Sequence, residues 1–257
     1  MPEDGWRTIV RSGDAMKVMA EGLLHASEQT DITQSTIYLE VMRHLGTERT
    51  VLDIGAGVGR LTVPLAESGC SVTAIEPSAE MLGHLRERLE LRHLTDRVKV
   101  VTDAWPTDLP LRGEVALAAF VIQFAEDPVQ FARAMESAAS RRCVLAVHVD
   151  QMFSFLQDLW PEFHPDESPP RMPVFADLYP KLLDDGIVGD VQVFSEQRGP
   201  RLMDPNMAME MLAVRLRIQE DEGAIQRLRE LLSTRTDAIA KPRPIRAAVI
   251  SWQPRES

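Results

Sequence analysis

The sequence predicts an α/β fold built on a doubly wound, mainly parallel sheet. Three observations lead to this fold class: short apolar β-rich runs recur along the chain, capped helical patterns separate them, and a glycine-rich turn directly follows the first run. Strands that alternate with helices need crossover connections, which produce a parallel sheet covered on both faces. The 257 residues suffice for one such domain with insertions, which is a simpler arrangement than two small domains.

The elements up to the fifth strand follow from these patterns. The expected helices cover 14–28, 31–45, 58–68, 78–91 and 128–140. Asp31, Ser78 and Asp127 are the predicted N-caps of the second, fourth and fifth of these, and Gly46 stands where a glycine that ends the second helix belongs. The expected strands cover 51–54, 72–75, 98–101, 115–121 and 143–149.

The pattern becomes less regular after the fifth strand. The expected elements are a Pro-rich loop at 161–173, a helix at 174–185, a strand at 189–194, helices near 205–221 and 223–236, and a closing strand at 245–252. We therefore divide the chain into an N-terminal helical cap (1–46), a core of alternating strands and helices that is expected to bind the ligand (47–195), a helical insertion (196–242), and the closing strand with a tail (243–257). The insertion is expected to serve as a lid or as a dimer contact.

Charge and composition disfavour several classes of function. A net charge of -11, without a Lys/Arg run longer than Arg141–Arg142, argues against nucleic acid as the substrate. Cys70 and Cys143 lie in apolar runs without metal-ligand spacing, so we expect buried thiols, a reducing cytoplasm and no metal site. No secretion signal is recognisable, and no stretch reaches the roughly 18 apolar residues that a membrane span needs. We expect a cytoplasmic protein that binds neither nucleic acid nor a membrane.

The turn after the first strand is the segment most informative about function. Residues 51–60 read VLDIGAGVGR, a strand that leads into three alternating glycines and then into a helix. Dinucleotide-binding folds space their glycines as G-x-G-x-x-G, whereas here Arg60 stands in the place of the third glycine. Asp53, two residues before Gly55, suits a ligand with a cationic group such as an amino group and does not suit a phosphate.

The next two strands also end in acidic residues. Glu76 follows the second strand, 21 residues after Gly55, where an acid can accept hydrogen bonds from both hydroxyls of a ribose. Asp103 follows the third strand within Thr102–Trp105, a segment whose polar and aromatic side chains can flank an adenine. Because the carboxyl ends of parallel strands meet at one edge of the sheet, these acids and Asp53 predict one shared site.

Together these features resemble the class I S-adenosylmethionine-dependent methyltransferases, especially the branch that acts on small molecules. The resemblance covers residues 48–150 with specific motifs and extends by topology to residue 252. It implies seven strands with an antiparallel last strand. It also implies S-adenosyl-L-methionine as the cofactor and S-adenosyl-L-homocysteine as the product.

The resemblance further implies which residues hold each part of the cofactor. Asp53 and the glycine turn would lie near the methionine moiety, Glu76 at the ribose, Asp103 near the adenine, and the residues from Phe120 to Gln123 along the sulfonium. The complete expected set is Asp53, Gly55, Ala56, Gly57, Gly59, Arg60, Glu76, Pro77, Met81, Asp103, Ala104, Trp105, Phe120, Val121 and Gln123. Arg60 either pairs with the carboxylate of the methionine moiety or faces solvent.

The methyl acceptor is less defined than the cofactor. After the fourth strand the chain reads AFVIQFAEDP in place of the Asn/Asp-Pro-Pro-Tyr/Phe motif of nucleic-acid amino methylases, which argues against DNA base methylation. His148 at the end of the fifth strand, His164 in the Pro-rich loop and Tyr38 on the second helix are the candidate catalytic residues. A structural role for the histidines and a core role for Tyr38 are the alternatives.

We therefore interpret the chain as an enzyme that moves a methyl group from S-adenosylmethionine to an oxygen, nitrogen or carbon atom of a small molecule. Proximity and orientation can supply about 7–11 kcal/mol of such a displacement, and a base is needed only where the acceptor must lose a proton. One alternative is a methyltransferase-like partner protein that binds the cofactor without catalysis. An NAD(P)-dependent oxidoreductase is disfavoured by the glycine spacing. A monomer and a homodimer both remain open.

Overall fold

Seven strands form one sheet in the computed structural model, which describes residues 20–24, 31–151, 154–198, 205–234 and 243–255. The strands are β1 (Thr50–Ile54), β2 (Ser71–Ile75), β3 (Val98–Val101), β4 (Gly113–Ala119), β5 (Ala139–His148), β6 (Asp190–Arg198) and β7 (Arg243–Trp252). Their order is β3-β2-β1-β4-β5-β7-β6. The first five strands pair in parallel, whereas β7 is antiparallel to both β5 and β6. The predicted fold class and the antiparallel last strand are confirmed.

Helices cover both faces of the sheet and also form a separate cluster. The described helices are α1 (Thr36–His44), α2 (Thr62–Glu67), α3 (Ala79–Leu91), α4 (Pro128–Ala138), α5 (Ser154–Phe163), α6 (Phe175–Asp184), α7 (Pro205–Arg215) and α8 (Glu222–Thr234). Helices α1, α2 and α3 contribute to the core on one face, and α4 and α6 to the core on the other. Helices α5, α7 and α8 share a smaller core around Trp160. The division into four parts stays a prediction.

Side-chain caps explain where several helices begin. Ser78 Oγ accepts a hydrogen bond from Met81 N (3.3 Å) at the start of α3, and Asp127 caps α4, as predicted. The start of the second predicted helix was wrong. Asp31 caps only a short 3₁₀ turn, and the hydroxyl of Ser35 then accepts from Tyr38 N (3.2 Å), so that α1 begins after this second cap.

Other boundaries also differ from the expectation. The helix expected at 58–68 begins at Thr62 because the glycine turn continues through residue 61. The first seven residues of α5 were not predicted, and this helix contains Pro161, so the Pro-rich loop begins later than expected. The helix expected at 205–221 ends at Arg215, and only residues 20–24 of the helix expected at 14–28 lie in the described part of the chain.

A buried carboxylate anchors the connection between α1 and β1. Glu114, on the neighbouring strand β4, accepts hydrogen bonds from Gly46 N (3.0 Å), Glu48 N (3.3 Å) and Thr50 N (3.3 Å). A Cβ at Gly46 would overlap the Glu114 carboxylate, so only glycine fits here without a shift. Gly46 directly follows Leu45, the C-cap of α1, so it stands where a helix-ending glycine was expected. It lacks the positive φ of such a cap, and the close Glu114 carboxylate is what requires a glycine here.

The two cysteines are buried free thiols, as the sequence predicts. Burial raises the pKa of the Cys143 thiol far above its usual value. None of the helices in the described ranges is both long enough and apolar enough to cross a bilayer.

Candidate functional site

The turn after β1 forms the floor of the site. Gly55, Gly57 and Gly59 all have positive φ angles of 70°, 56° and 81°, a conformation that favours glycine. A Cβ at Gly55 would overlap Val121, and a Cβ at Gly59 would overlap Leu85, so these two glycines allow close packing. A Cβ at Gly57 would meet nothing within 4 Å. The middle glycine thus faces open space, where a ligand can approach the backbone.

Two buried carboxylates flank this turn. Asp53, the fourth residue of β1, is 2% exposed, and it accepts a hydrogen bond from Thr62 Oγ1 (2.5 Å). Glu76, directly after β2, accepts from Gly57 N (3.0 Å) through one oxygen and from Ser78 N (2.9 Å) through the other. The two strands are neighbours in the sheet, so their carboxyl ends bring both acids to one edge.

Burial determines the electrostatics of this pair. The pKa of Asp53 is raised to about 6, mainly by burial and in part by the negative charge of Glu76, while the hydrogen bond from Thr62 opposes this rise. Burial also raises the pKa of Glu76, and the two backbone N–H donors partly offset this effect. Among the described residues neither acid forms an ion pair. A cationic ligand would therefore be attracted to this edge.

The third acid lies in the loop after β3. Asp103 is half-buried, and its carboxylate accepts from Ala104 N (2.8 Å) and from the hydroxyl of Thr107. The indole of Trp105 donates to Phe131 O (3.2 Å) and meets the Phe131 ring edge-on at 6.5 Å. The loop is therefore held by its own hydrogen bonds and by α4.

The end of β4 adopts an unusual conformation at the same edge. Phe120 has a φ of 60°, which is uncommon for a residue with a Cβ, and its ring stacks on His148 at 4.3 Å. The Phe120 carbonyl accepts from Gln123 Nε2 (2.7 Å), which fixes the orientation of the buried Gln123 amide. Gln123 Oε1 then has no hydrogen-bond partner among the described residues. Val121 packs against Gly55, so this turn adjoins the glycine turn.

The other residues predicted for the cofactor lie around the glycine turn with different exposure. Pro77 and Ala104 are exposed, Ala56 is buried, and Arg60 is half-buried. Met81 is 2% exposed and packs with Val58 and with Ala20 of the helical residues 20–24. The structure therefore places part of the predicted N-terminal cap against the glycine turn.

The three candidate catalytic residues lie in different surroundings. His148 is the last residue of β5 and is brought to the predicted edge next to Phe120. His164 Nε2 lies 2.6 Å from Leu216 O, and its ring stacks on Trp160, so these partners belong to the cluster of α5 and α7. Tyr38 is 7% exposed in the core beneath α1. Of the three, His148 is the one that contacts a predicted cofactor residue, Phe120, among the described residues.

Two polar side chains near this edge were not assigned a role by the sequence interpretation. Thr62 is fully buried and binds Asp53, but a threonine nine residues after an acid gives no sequence signal. Asp150, just after β5, forms a close ion pair with Arg246 of β7, with 2.6 Å from Nη2 to Oδ1. The hydrogen bond from Arg246 lowers the pKa of Asp150. Only the antiparallel pairing of β5 with β7 joins these residues.

Comparison with known proteins identifies the part of the chain that carries this edge. Residues 52–145 match the family model described as a methyltransferase domain. This segment is a methyltransferase domain. It runs from β1 into β5 and contains both buried carboxylates, the glycine turn and the turn at Phe120.

Three similar proteins illustrate the relationship of the methyltransferase domain to others. A ribosomal RNA small subunit methyltransferase of Arabidopsis thaliana is 28% identical over 128 residues, which are 48% of this chain and 35% of that protein. The [4+2]-cyclase SpnF aligns with a TM-score of 0.56 at 14% identity, over 94% of this chain and 95% of its own. Phosphoethanolamine N-methyltransferase 2 of Haemonchus contortus, in complex with phosphomonomethylethanolamine and S-adenosylhomocysteine, aligns with a TM-score of 0.53 at 16% identity, over 96% of this chain and 59% of its own.

These comparisons define the fold and not the reaction. At such low identities the solved structures share the class I fold with this domain, and a protein named as a cyclase has the same fold. The first curated relatives match over only 27%, 35% and 17% of their own lengths.

Proposed function

We propose that the protein transfers a methyl group from S-adenosylmethionine to an oxygen, nitrogen or carbon atom of a small molecule. The observation that carries this proposal is the pair of buried carboxylates, Asp53 and Glu76, beside the open glycine turn. Burial penalises both negative charges, and no described side chain neutralises them. A ligand with an ammonium group and a sulfonium relieves this penalty, whereas the phosphates of a dinucleotide would increase it.

The residues at this edge fit S-adenosylmethionine in three respects. Gly57 leaves open space above the backbone for the ligand. Glu76 uses one acceptor position on each oxygen for a backbone N–H, and a carboxylate has about four such positions, so it can still accept the two hydroxyls of a ribose. Asp53 supplies the negative charge for the ammonium group. When bound, this cofactor supplies a methyl group already activated by its sulfonium.

The end of β4 and the end of β5 would receive the methyl acceptor. Gln123 is 3% exposed, and its unpartnered Oε1 would accept a hydrogen bond from an O–H or N–H of the acceptor. His148 stacks on Phe120 and would take a proton where the acceptor must lose one. The strained backbone of Phe120 agrees with a functional role, because such strain is concentrated at ligand sites.

Calorimetric titration of the purified protein with S-adenosylmethionine and with NAD tests the cofactor. We expect saturable heat with the first ligand and none with the second. Glu76→Gln should weaken the binding of S-adenosylmethionine by about tenfold, because one charge-assisted hydrogen bond contributes roughly 1.5–3 kcal/mol. Absence of heat with S-adenosylmethionine in the wild type would overturn the proposal.

Transfer of a radiolabelled methyl group tests the acceptor class. The protein is incubated with labelled S-adenosylmethionine and either the low-molecular-weight fraction or the RNA fraction of a cell extract. We expect label in the first fraction, and we expect Gln123→Leu to bind the cofactor but lose the transfer. Cofactor binding without transfer to either fraction would favour the non-catalytic partner protein.

Ribosomal RNA is the second candidate acceptor because a curated relative is named as a ribosomal RNA methyltransferase. The net charge of -11 opposes binding of a polyanion. Label confined to the RNA fraction would replace the small-molecule proposal with this one.

A further inference from the structure

The crossover from β3 to β4 places no helix over the sheet, unlike the other crossovers between parallel strands in the described part of the chain. The chain passes from β3 to β4 through residues 102–112 without helical structure. Thr73 of β2 and Lys99 of β3 are register partners and share a face of the sheet. They lie two residues before Ile75 and Val101, which pack into the core beneath α4 and α6. This face is therefore polar at the amino ends of the two strands and apolar at their carboxyl ends.

A cleft of about 370 Å³ lies at this polar surface. It is lined at the amino ends of β1, β2 and β3, whereas the proposed cofactor site lies at the carboxyl ends. A strand of five residues spans roughly 15 Å, so the two sites are separate. The volume falls within the range of small-ligand sites.

The side chains around this cleft are basic and hydroxylic. Arg97, Lys99 and Arg112 line it and are exposed, whereas Asp96 is the single acid in the lining. This excess of positive charge contrasts with the net charge of the whole chain, which is -11. Four hydroxyl groups complete the polar lining: those of Thr50, Ser71, Thr73 and Thr95.

The two guanidinium groups keep donors available for a ligand. Nη1 of Arg112 donates to Leu111 O (3.2 Å), and Nη1 of Arg97 donates to Gly69 O (3.5 Å). Each guanidinium has five N–H donors, so these backbone contacts leave most of them available. Guanidinium groups bind phosphate oxygens through pairs of hydrogen bonds, and hydroxyl groups add further donors.

We propose that this cleft binds the phosphate group of a small ligand, at a site distinct from that of the methyl donor. A phosphate presents several acceptor oxygens and negative charge, which match three cations and four hydroxyl donors in one concave site. A nucleic-acid polymer fits less well, because the cleft is small and the remaining surface is predominantly acidic.

Titration of the full chain with inorganic pyrophosphate at low ionic strength, followed by calorimetry, tests this site. Lys99→Gln and Arg112→Gln should each weaken pyrophosphate binding by about three- to tenfold, because each removes one charge from a partly solvated site. Lys181→Gln is the matched control, since Lys181 is an exposed lysine on α6 outside the cleft and its replacement should leave the affinity unchanged.

The outcomes separate this proposal from the proposed methyl transfer. Circular dichroism establishes that the variants are folded, and all three should bind S-adenosylmethionine with wild-type affinity. No saturable pyrophosphate binding by the wild type would overturn the phosphate site. An equal loss in Lys181→Gln would also overturn it, because the interaction would then follow overall charge rather than the cleft.

Discussion

Replacement of Asp53 by asparagine should stabilise the protein and at the same time weaken cofactor binding. The Asp53 carboxyl is buried, and its pKa in the folded chain is about 6, against an ordinary value of 3.8. The folded state therefore holds the proton more tightly than the unfolded state, so ionisation of Asp53 at neutral pH destabilises the fold. Asparagine removes this charge and retains an oxygen that can accept the hydrogen bond from Thr62.

The magnitude follows from the difference between the two pKa values. The charge destabilises the fold by about 3 kcal/mol at pH 7, by about 2 kcal/mol at pH 5 and by less than about 1 kcal/mol at pH 4, because the penalty is absent below the unfolded pKa and fully present above the folded pKa. These values are upper bounds for the gain in Asp53→Asn, since the hydrogen bond to Thr62 becomes weaker when its acceptor is neutral.

Urea unfolding at pH 7, 5 and 4 measures this gain without bound ligand. We expect the advantage of Asp53→Asn to shrink as the pH falls below 6, and calorimetry at pH 7 should show at least tenfold weaker binding of S-adenosylmethionine. Asp166→Asn, an equivalent change at an exposed position, should affect neither quantity. A destabilised Asp53→Asn protein whose deficit is independent of pH would refute the electrostatic reasoning.

Two further predictions use pairs of glycines as matched controls. Gly57→Ala and Gly69→Ala each place a Cβ at a positive φ without a contact within 4 Å, so both should lower the free energy of unfolding by about 1–2 kcal/mol. In calorimetry only Gly57→Ala should weaken S-adenosylmethionine binding. Equal weakening by both variants would show that the ligand does not bind at Gly57. Gly46→Ala should cost about 2 kcal/mol in urea unfolding, because the new Cβ displaces the Glu114 carboxylate from its N–H donors. Gly83→Ala, in the middle of α3 with open space around it, should instead gain about 0.5–1 kcal/mol. A neutral Gly46→Ala would show that the loop relaxes freely.

Local patterns predicted most of the fold because they depend on short-range physics. Apolar β-rich runs identified the seven strands, and Ser78 and Asp127 identified helix starts, since a cap and the N–H groups that it binds lie within three residues. A local pattern gave the wrong helix start at Asp31, because two capping residues follow each other closely: Asp31 caps the 3₁₀ turn, and Ser35 caps α1.

One part of the proposed site was predictable because it lies within one continuous chain segment. The glycine spacing at 55–59, Asp53 two residues before it and Glu76 after the next strand are local to two strands and their turns, and parallel pairing then necessarily brings them to one edge. These features identified the class of fold and the expected cofactor before any contact was known.

Contacts between segments that are distant in the sequence became evident only in the tertiary structure. Thr62 next to Asp53, the stacking of Phe120 on His148, and the pairing of Asp150 with Arg246 arise from packing across strands, which leaves no periodic or local signal. The same holds for the two histidines, which the sequence alone does not distinguish. The sheet places His148 at the edge of the proposed cofactor site, whereas His164 lies in the cluster of α5 and α7. Burial, which raises the pKa of Asp53, is likewise a property of the assembled core, because desolvation requires neighbours contributed by the whole chain.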